Sequence, residues 1–151
     1  MTELGRPSTA TIAGADTTIL ALCVWREARN QKLDAQVGVA FSILNRVQKP
    51  SWWGNDVLSV VFKKWQFSSF TDPHDRQLTT WPAPTADSWL TALAVAEQAL
   101  AGVVANPVPH ADSYYDDSIA PPEWATPERF VAAIGALRFF NVDADHEFPA
   151  G

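Results

Sequence analysis

The first sustained hydrophobic pattern starts at Thr17, where Leu20, Cys23/Val24 and Glu27 recur at i, i+3/i+4 and i+7, the spacing of one helical face. Thr17 or Thr18 suits the N-cap. Glu27 therefore prolongs an apolar stripe, an odd place for a carboxylate. Arg29-Asn30-Gln31-Lys32 breaks the pattern as a polar turn. A second helix is predicted from Asp34, a good N-cap residue, with Gln36, Val39, Ala40, Ile43, Leu44 and Val47 on one face, ending before Pro50. Two helices joined by so short a turn predict an antiparallel pair.

Further on, Ser51-Trp52-Trp53-Gly54-Asn55 reads as a turn, Val57 to Lys64 as a short helix and Trp65 to Phe70 as irregular. Residues 71–84 carry Pro73, Pro82 and Pro84 and read as a long loop, a feature that in compact domains tends to be functional. Thr85 caps a third clear helix whose buried face is predicted to hold Trp89, Ala92, Leu93, Ala96 and Leu100, with Gly102 ending it. Ser113-Tyr114-Tyr115 predicts a strand, and Asp116–Thr126 a loop. Phe130 to Val142 is read as a hairpin turning at Gly135, because Phe139 and Phe140 favour strands and glycine suits a tight turn. Residues 1–16 read as a flexible arm and 17–151 as one domain, with the chain fraying after Asp143. The expected class is α+β.

The 151-residue length fits a single hydrophobic core, and 47% apolar with 19% charged residues is a globular composition. The net charge of −6, with no basic stripe, argues against nucleic acid as a partner. It gives no electrostatic help toward an anionic wall or membrane either. No membrane-length apolar run or secretory signal is read, so synthesis in the cytoplasm and no stable membrane association are expected. Seven tryptophans stand at 25, 52, 53, 65, 81, 89 and 124. Several fall in predicted loops, where a ring suits stacking on a sugar, although tryptophan is more often scaffold.

Burial of Glu27 would raise its pKa and keep it protonated near neutral pH, the condition a glycosidase general acid must meet. Its alternative is structural pairing with Arg29 or Arg46. The single cysteine, Cys23, forms no intramolecular disulfide and, mid-helix on an apolar face, reads as a buried thiol rather than a nucleophile. His74, His110 and His146 are far apart with no H-E-x-x-H spacing, so no metal site and no cofactor are expected. Asp72, Asp75, Asp112, Asp116 and Asp117 read as solvated loop acids, with Asp116 or Asp117 open to activating a water.

Trp25-Arg26-Glu27-Ala28-Arg29, then Gln36-Val37-Gly38-Val39-Ala40 and Ile43-Leu44-Asn45-Arg46-Val47, resembles the front half of the SleB-like cell-wall hydrolase family. Trp52-Trp53-Gly54 and Gln66-Phe67-Ser68 are similar to elements of its phage-lysin branch. Tyr114-Tyr115, Pro122-x-Trp124-Ala125 and Ile134-Gly135 with Phe139-Phe140 resemble its later elements, in the family's order over residues 17–142. The resemblance implies a goose-lysozyme-like helical domain with a small β-hairpin or sheet. It also implies cleavage of peptidoglycan glycan strands between N-acetylmuramic acid and N-acetylglucosamine; together with the missing secretory signal this leads to an endolysin as the expected role, with a monomer as the expected state. Chemistry by lytic transglycosylation would need one glutamate, Glu27, with Gln66, Phe67, Ser68, Tyr114, Tyr115 and Trp124 holding substrate. A hydrolytic muramidase and a non-catalytic glycan-binding or virion protein are the alternatives. Three departures stand out: Arg26 where the family has glycine, and Ser113 and Leu137 near positions where it often has histidine.

Overall fold

The computed structural model describes residue 5, residues 8–64 and residues 66–143. The predicted frayed tail after Asp143, His146, the first residues of the predicted arm and Trp65 lie outside the described residues. Within them run five α-helices, α1 (Thr9–Ala28), α2 (Leu33–Gln48), α3 (Val57–Val61), α4 (Ser68–Thr71) and α5 (Asp87–Ala101), and three strands, β1 (Ser113–Asp116), β2 (Phe130–Ile134) and β3 (Leu137–Phe140). Two single 3₁₀ turns, Arg76–Thr79 and Pro127–Arg129, punctuate the connections.

Helix α1 starts eight residues ahead of the Thr17 expectation, so much of the predicted arm is helical. The threonines expected to cap it instead turn back on the preceding turn: Thr17 Oγ1 donates to the Ala13 carbonyl (3.0 Å) and Thr18 Oγ1 to that of Gly14 (2.9 Å). Helix α2 follows the polar turn, with Lys32 rather than the expected Asp34 at its N-cap, and packs on α1 and α5. Helix α3 is shorter than predicted, held by a capping box between Asp56 and Ser59. The stretch read as irregular contains the one-turn α4. On α5 the buried face is Ala92, Val95, Ala96 and Ala99, while Leu100, expected inside, is 38% exposed. Small residues there let α1 lie close against α5. Gly102 ends the helix in a left-handed conformation, φ 70°.

The sheet has the order β1-β3-β2, all antiparallel. The predicted hairpin is present, and Gly135 supplies the positive φ of its turn, 56°. Tyr114 pairs with Phe139 and Tyr115 with Arg138. Alternation sends Tyr114 toward the helices, where its ring lies 5.7 Å from the buried ring of Phe139.

Helix α2 joins the two layers. Asn45 Nδ2 donates to the carbonyls of Val108 (3.0 Å) and Ala111 (2.8 Å), and its Oδ1 accepts from Asn106 Nδ2 (2.9 Å). One residue on, Arg46 Nε donates to the Asp112 carbonyl (2.8 Å). The segment feeding β1 is thus held at four points by two adjacent side chains. Buried Asp112 accepts from Ser113 Oγ and from the backbone N–H groups of Val142 and Asp143, closing the chain after β3 onto the start of β1.

Gly38 marks the closest approach between helix and sheet. A Cβ at this position would stand 2.7 Å from Cζ of fully buried Phe139. Gly38→Ala should therefore destabilise the fold by about 1–3 kcal/mol, the usual cost of overpacking. Urea unfolding checks it, and an unchanged midpoint would show that the ring has room to retreat.

Candidate active site

Glu27 ends up at the last turn of α1, partly buried at the floor of a cleft of about 380 Å³. Arg46, Trp52, Gln66, Phe67, Tyr114 and Trp124 are among the residues that form its walls. Strand β1 makes one side and the segment between α3 and α4 the other. Tyr114 Oη donates to Glu27 Oε1 at 2.7 Å, a short bond between a phenol and a carboxylate. Burial, together with the charge of Glu27, pushes the Tyr114 pKa well above its ordinary value, so it remains a donor.

Burial raises the Glu27 pKa and outweighs the hydroxyls of Tyr114 and Ser69, which favour the charged form; Asp75 adds a further push upward. Neither arginine foreseen as a structural partner pairs with it. The Arg29 guanidinium sits 4.1 Å from the Trp25 ring and donates to Gln77 Oε1 (2.7 Å) and the Trp25 carbonyl (3.1 Å). Arg46 Nη1 donates to Gln66 Oε1 (3.3 Å), and its guanidinium lies over Trp53 and Phe67. That bond makes the Gln66 amide NH₂ the end left for a ligand.

Of the residues expected to hold substrate, Gln66, Phe67, Tyr114 and Trp124 meet around Glu27, and two do not. Ser68 is exposed and its hydroxyl bonds Asp75 Oδ2. Tyr115, one residue on from Tyr114, takes the opposite face of β1 and stacks on Phe140 (5.8 Å), edge-on to Trp124 (6.1 Å). It supports the Trp124 wall from behind. Alternation in a strand permits only one of two adjacent tyrosines to face the cleft.

Five lining residues had no substrate role assigned from the sequence: Arg46, Trp52, Ser113, Val142 and Asp143. Arg46 and Trp52 stand inside recognised motifs, but Asp143 carried no signal. Burial, then Asp112, raises the Asp143 pKa. The acids first considered for water activation sit elsewhere. Asp117 pairs with Arg138 at 3.0 Å, and Asp116 lines a separate, smaller pocket of about 170 Å³ on another side of Glu27, near Gln31 and Gln77. Cys23 is fully buried and burial lifts its pKa well up, which keeps the thiol protonated. Among the described residues no group of three or more His, Cys, Asp or Glu could hold a metal ion, and no helix is long and apolar enough to cross a membrane.

The departures at Arg26 and Leu137 both lead away from the cleft, Leu137 into the core. Ser113 does line it, with its hydroxyl turned to Asp112 (2.8 Å). Arg26 Nη1 donates to the Ser69 carbonyl (3.0 Å), Nη2 to that of Leu78 (3.1 Å) and Nε to that of Thr80 (3.3 Å). Its guanidinium lies between the rings of Phe70 (4.7 Å) and Trp81 (4.6 Å).

A helical body, a small antiparallel sheet and a carboxyl on the cleft floor make this a lysozyme-like domain. The chain belongs to the cell wall hydrolase family, whose profile matches residues 30–140. The match begins just past Glu27, so the setting of that residue rests on the geometry above and on structural likeness. The catalytic domain of the germination-specific lytic transglycosylase SleB from Bacillus anthracis is similar, at 26% identity and TM-score 0.66 over 91% of this chain and 99% of that one. The catalytic domain of the Bacillus cereus SleB protein is similar at 26% identity and TM-score 0.67, over 93% and 97%. No curated protein sequence matches significantly.

Tyr114→Phe removes the hydroxyl that favours the charged carboxylate. The Glu27 pKa should then rise further, which a carboxyl-¹³C titration by NMR would read directly; a fall would contradict the hydrogen bond's direction of effect.

Proposed function

We propose that this chain cleaves peptidoglycan between N-acetylmuramic acid and N-acetylglucosamine as a lytic transglycosylase, with Glu27 as acid and then base. The observation that carries the reading is a carboxyl on a cleft floor, desolvated, hydrogen-bonded by a phenol and, among the described residues, paired with no cation. Such a group holds its proton to higher pH than a solvated glutamate and can deliver it to a leaving glycosidic oxygen. The bond from C1 of the muramyl unit to that oxygen breaks, and the departing sugar keeps the proton. The muramyl O6 then bonds C1 while Glu27 takes the O6 proton, so no water is consumed and the acid is regenerated. Gln66 and Arg46 supply polar contacts along the strand, and Trp52, Phe67 and Trp124 offer faces to the sugar rings. The likeness to SleB domains supports this chemistry, and the W-W-G and Q-F-S elements support an endolysin that waits in the cytoplasm until the membrane opens.

A second reading has one observation in its favour: Asp143 puts another carboxylate on the same cleft. If it activates a water, the enzyme is a hydrolytic muramidase, which requires two carboxyl groups.

Glu27→Gln should cut release of soluble fragments from purified sacculi by roughly 10²–10⁴-fold or more, the scale of general acid–base catalysis, without loss of fold. An active variant would overturn the assignment. Mass spectrometry of wild-type products separates the readings: 1,6-anhydromuramyl ends mark transglycosylation, reducing muramyl ends mark hydrolysis.

Because the acid must be protonated, activity should fall as pH rises through the raised Glu27 pKa. The same shift makes folding stability decline above the ordinary glutamate pKa, since the folded state binds the proton more tightly than the unfolded chain. A pH–rate profile with its alkaline limb at the pKa of a solvated glutamate would contradict this.

A further inference from the structure

We propose that Ser69 is a positioning residue for Glu27 and that Arg26 is the clamp that holds Ser69 against it. This rests on Glu27 being the acid. Ser69 is completely buried, and its Oγ makes no hydrogen bond of ordinary geometry among the described residues. Buried hydroxyls are rarely left so, and an exception calls for a role. Ser42, also buried, shows the usual solution, donating to the Val39 carbonyl of its own helix at 2.7 Å. The Ser69 hydroxyl instead lies near enough to the Glu27 carboxyl to favour its charged form. Ser69 is absent from the cleft lining, so it acts on the carboxyl rather than on a sugar.

Arg26 determines where that hydroxyl sits. Its three hydrogen bonds go to carbonyls at 69, 78 and 80, the two ends of the segment running from α4 through the 3₁₀ turn. Phe70 and Trp81 enclose the guanidinium from the same segment. Arg26 is also the backbone neighbour of Glu27, so the clamp and the acid share one turn of α1. Movement of Ser69 relative to Glu27 requires breaking the planar fork, which lysine cannot reproduce. The consequence is a carboxyl confined to one orientation and ready, once ionised, to accept from both Tyr114 and Ser69. That is the state needed for the second, base half of the reaction.

The other titratable and charged groups of this cluster come from the elements packed around Glu27. Tyr114 projects from β1 and Asp75 from the segment following α4, and both act on Glu27. Cys23, one turn earlier on α1, is itself raised by the Glu27 charge, and Arg46 on α2 acts on Tyr114. Ser69→Ala replaces none of these side chains and removes one hydroxyl only.

The test uses the full chain, ¹³C-labelled at glutamate carboxyls, beside kinetics on sacculi. Ser69→Ala should raise the Glu27 pKa, move the alkaline limb of the pH–rate profile upward and lower kcat at least about tenfold, with KM unchanged. Arg26→Gly should shift the same limb in the same direction. In the double variant the two shifts should be less than additive, as expected for residues acting through one contact. If Arg26→Gly does not fold, Arg26→Lys is read in its place and should give a smaller shift of the same sign. An unchanged Glu27 titration and pH limb in Ser69→Ala would overturn the proposal while leaving the acid assignment intact. Full additivity would remove Arg26 from it. Loss of the Glu27 role itself would show separately, as an active Glu27→Gln variant.

Discussion

A partly buried carboxyl with no cation paired to it among the described residues is the constraint around which this molecule is arranged. Three arginines stand near Glu27 in sequence or space, and any of them could have neutralised it. Each is engaged elsewhere: Arg26 by three carbonyls and two rings, Arg29 by Trp25 and Gln77, Arg46 by Asp112, Gln66 and two further rings. A guanidinium on Glu27 would hold it ionised and produce a structural ion pair. Among the described residues, its side-chain hydrogen-bond partner is a phenol whose own pKa is driven up, so neither member of the pair is easily charged. Joining α1 to β1, that hydrogen bond also makes the acid's environment depend on how sheet and helices meet.

The elements with strong periodicity were legible in the chain. The stripes of α1 and α2, the glycine stop after α5 and the hairpin at Gly135 follow from spacing and turn chemistry. Misreadings occurred where tertiary contact outweighs local preference. Thr17 and Thr18 look like caps, yet a threonine hydroxyl can equally bond back to the preceding turn, so α1 continues toward the N-terminus. On α5 the alanines rather than Leu100 face inward, because close approach of α1 selects small side chains over large ones.

The site was legible as an ordered set of motifs rather than as a geometry. Glu27, Gln66, Phe67, Tyr114 and Trp124 converge, whereas Ser68 and Tyr115 belong to the same motifs but turn outward. A motif identifies a segment; the pleat of a strand or the start of a helical turn decides which of its residues faces the cleft. Asp143 and Ser69 lay beyond reach for the same reason, since neither is marked by spacing and both matter only through neighbours distant in sequence. Arg26 looked like a disturbance at the acid because it replaces a glycine. Its side chain instead runs away from the cleft and secures the segment opposite β1.

Asn45 and Arg46 carry a consequence of another kind. Side chains on a single turn of α2 hold the segment before β1, while the aromatic walls hang from β1 and from loops. The spacing of the two sides is thereby inherited from a helix whose own part in the groove's lining is Arg46. A change of wall residue therefore need not reset the gap in which the acid works. The scaffold behaves as a jig: the cutting geometry is stored in the frame, and the gripping surfaces are replaceable.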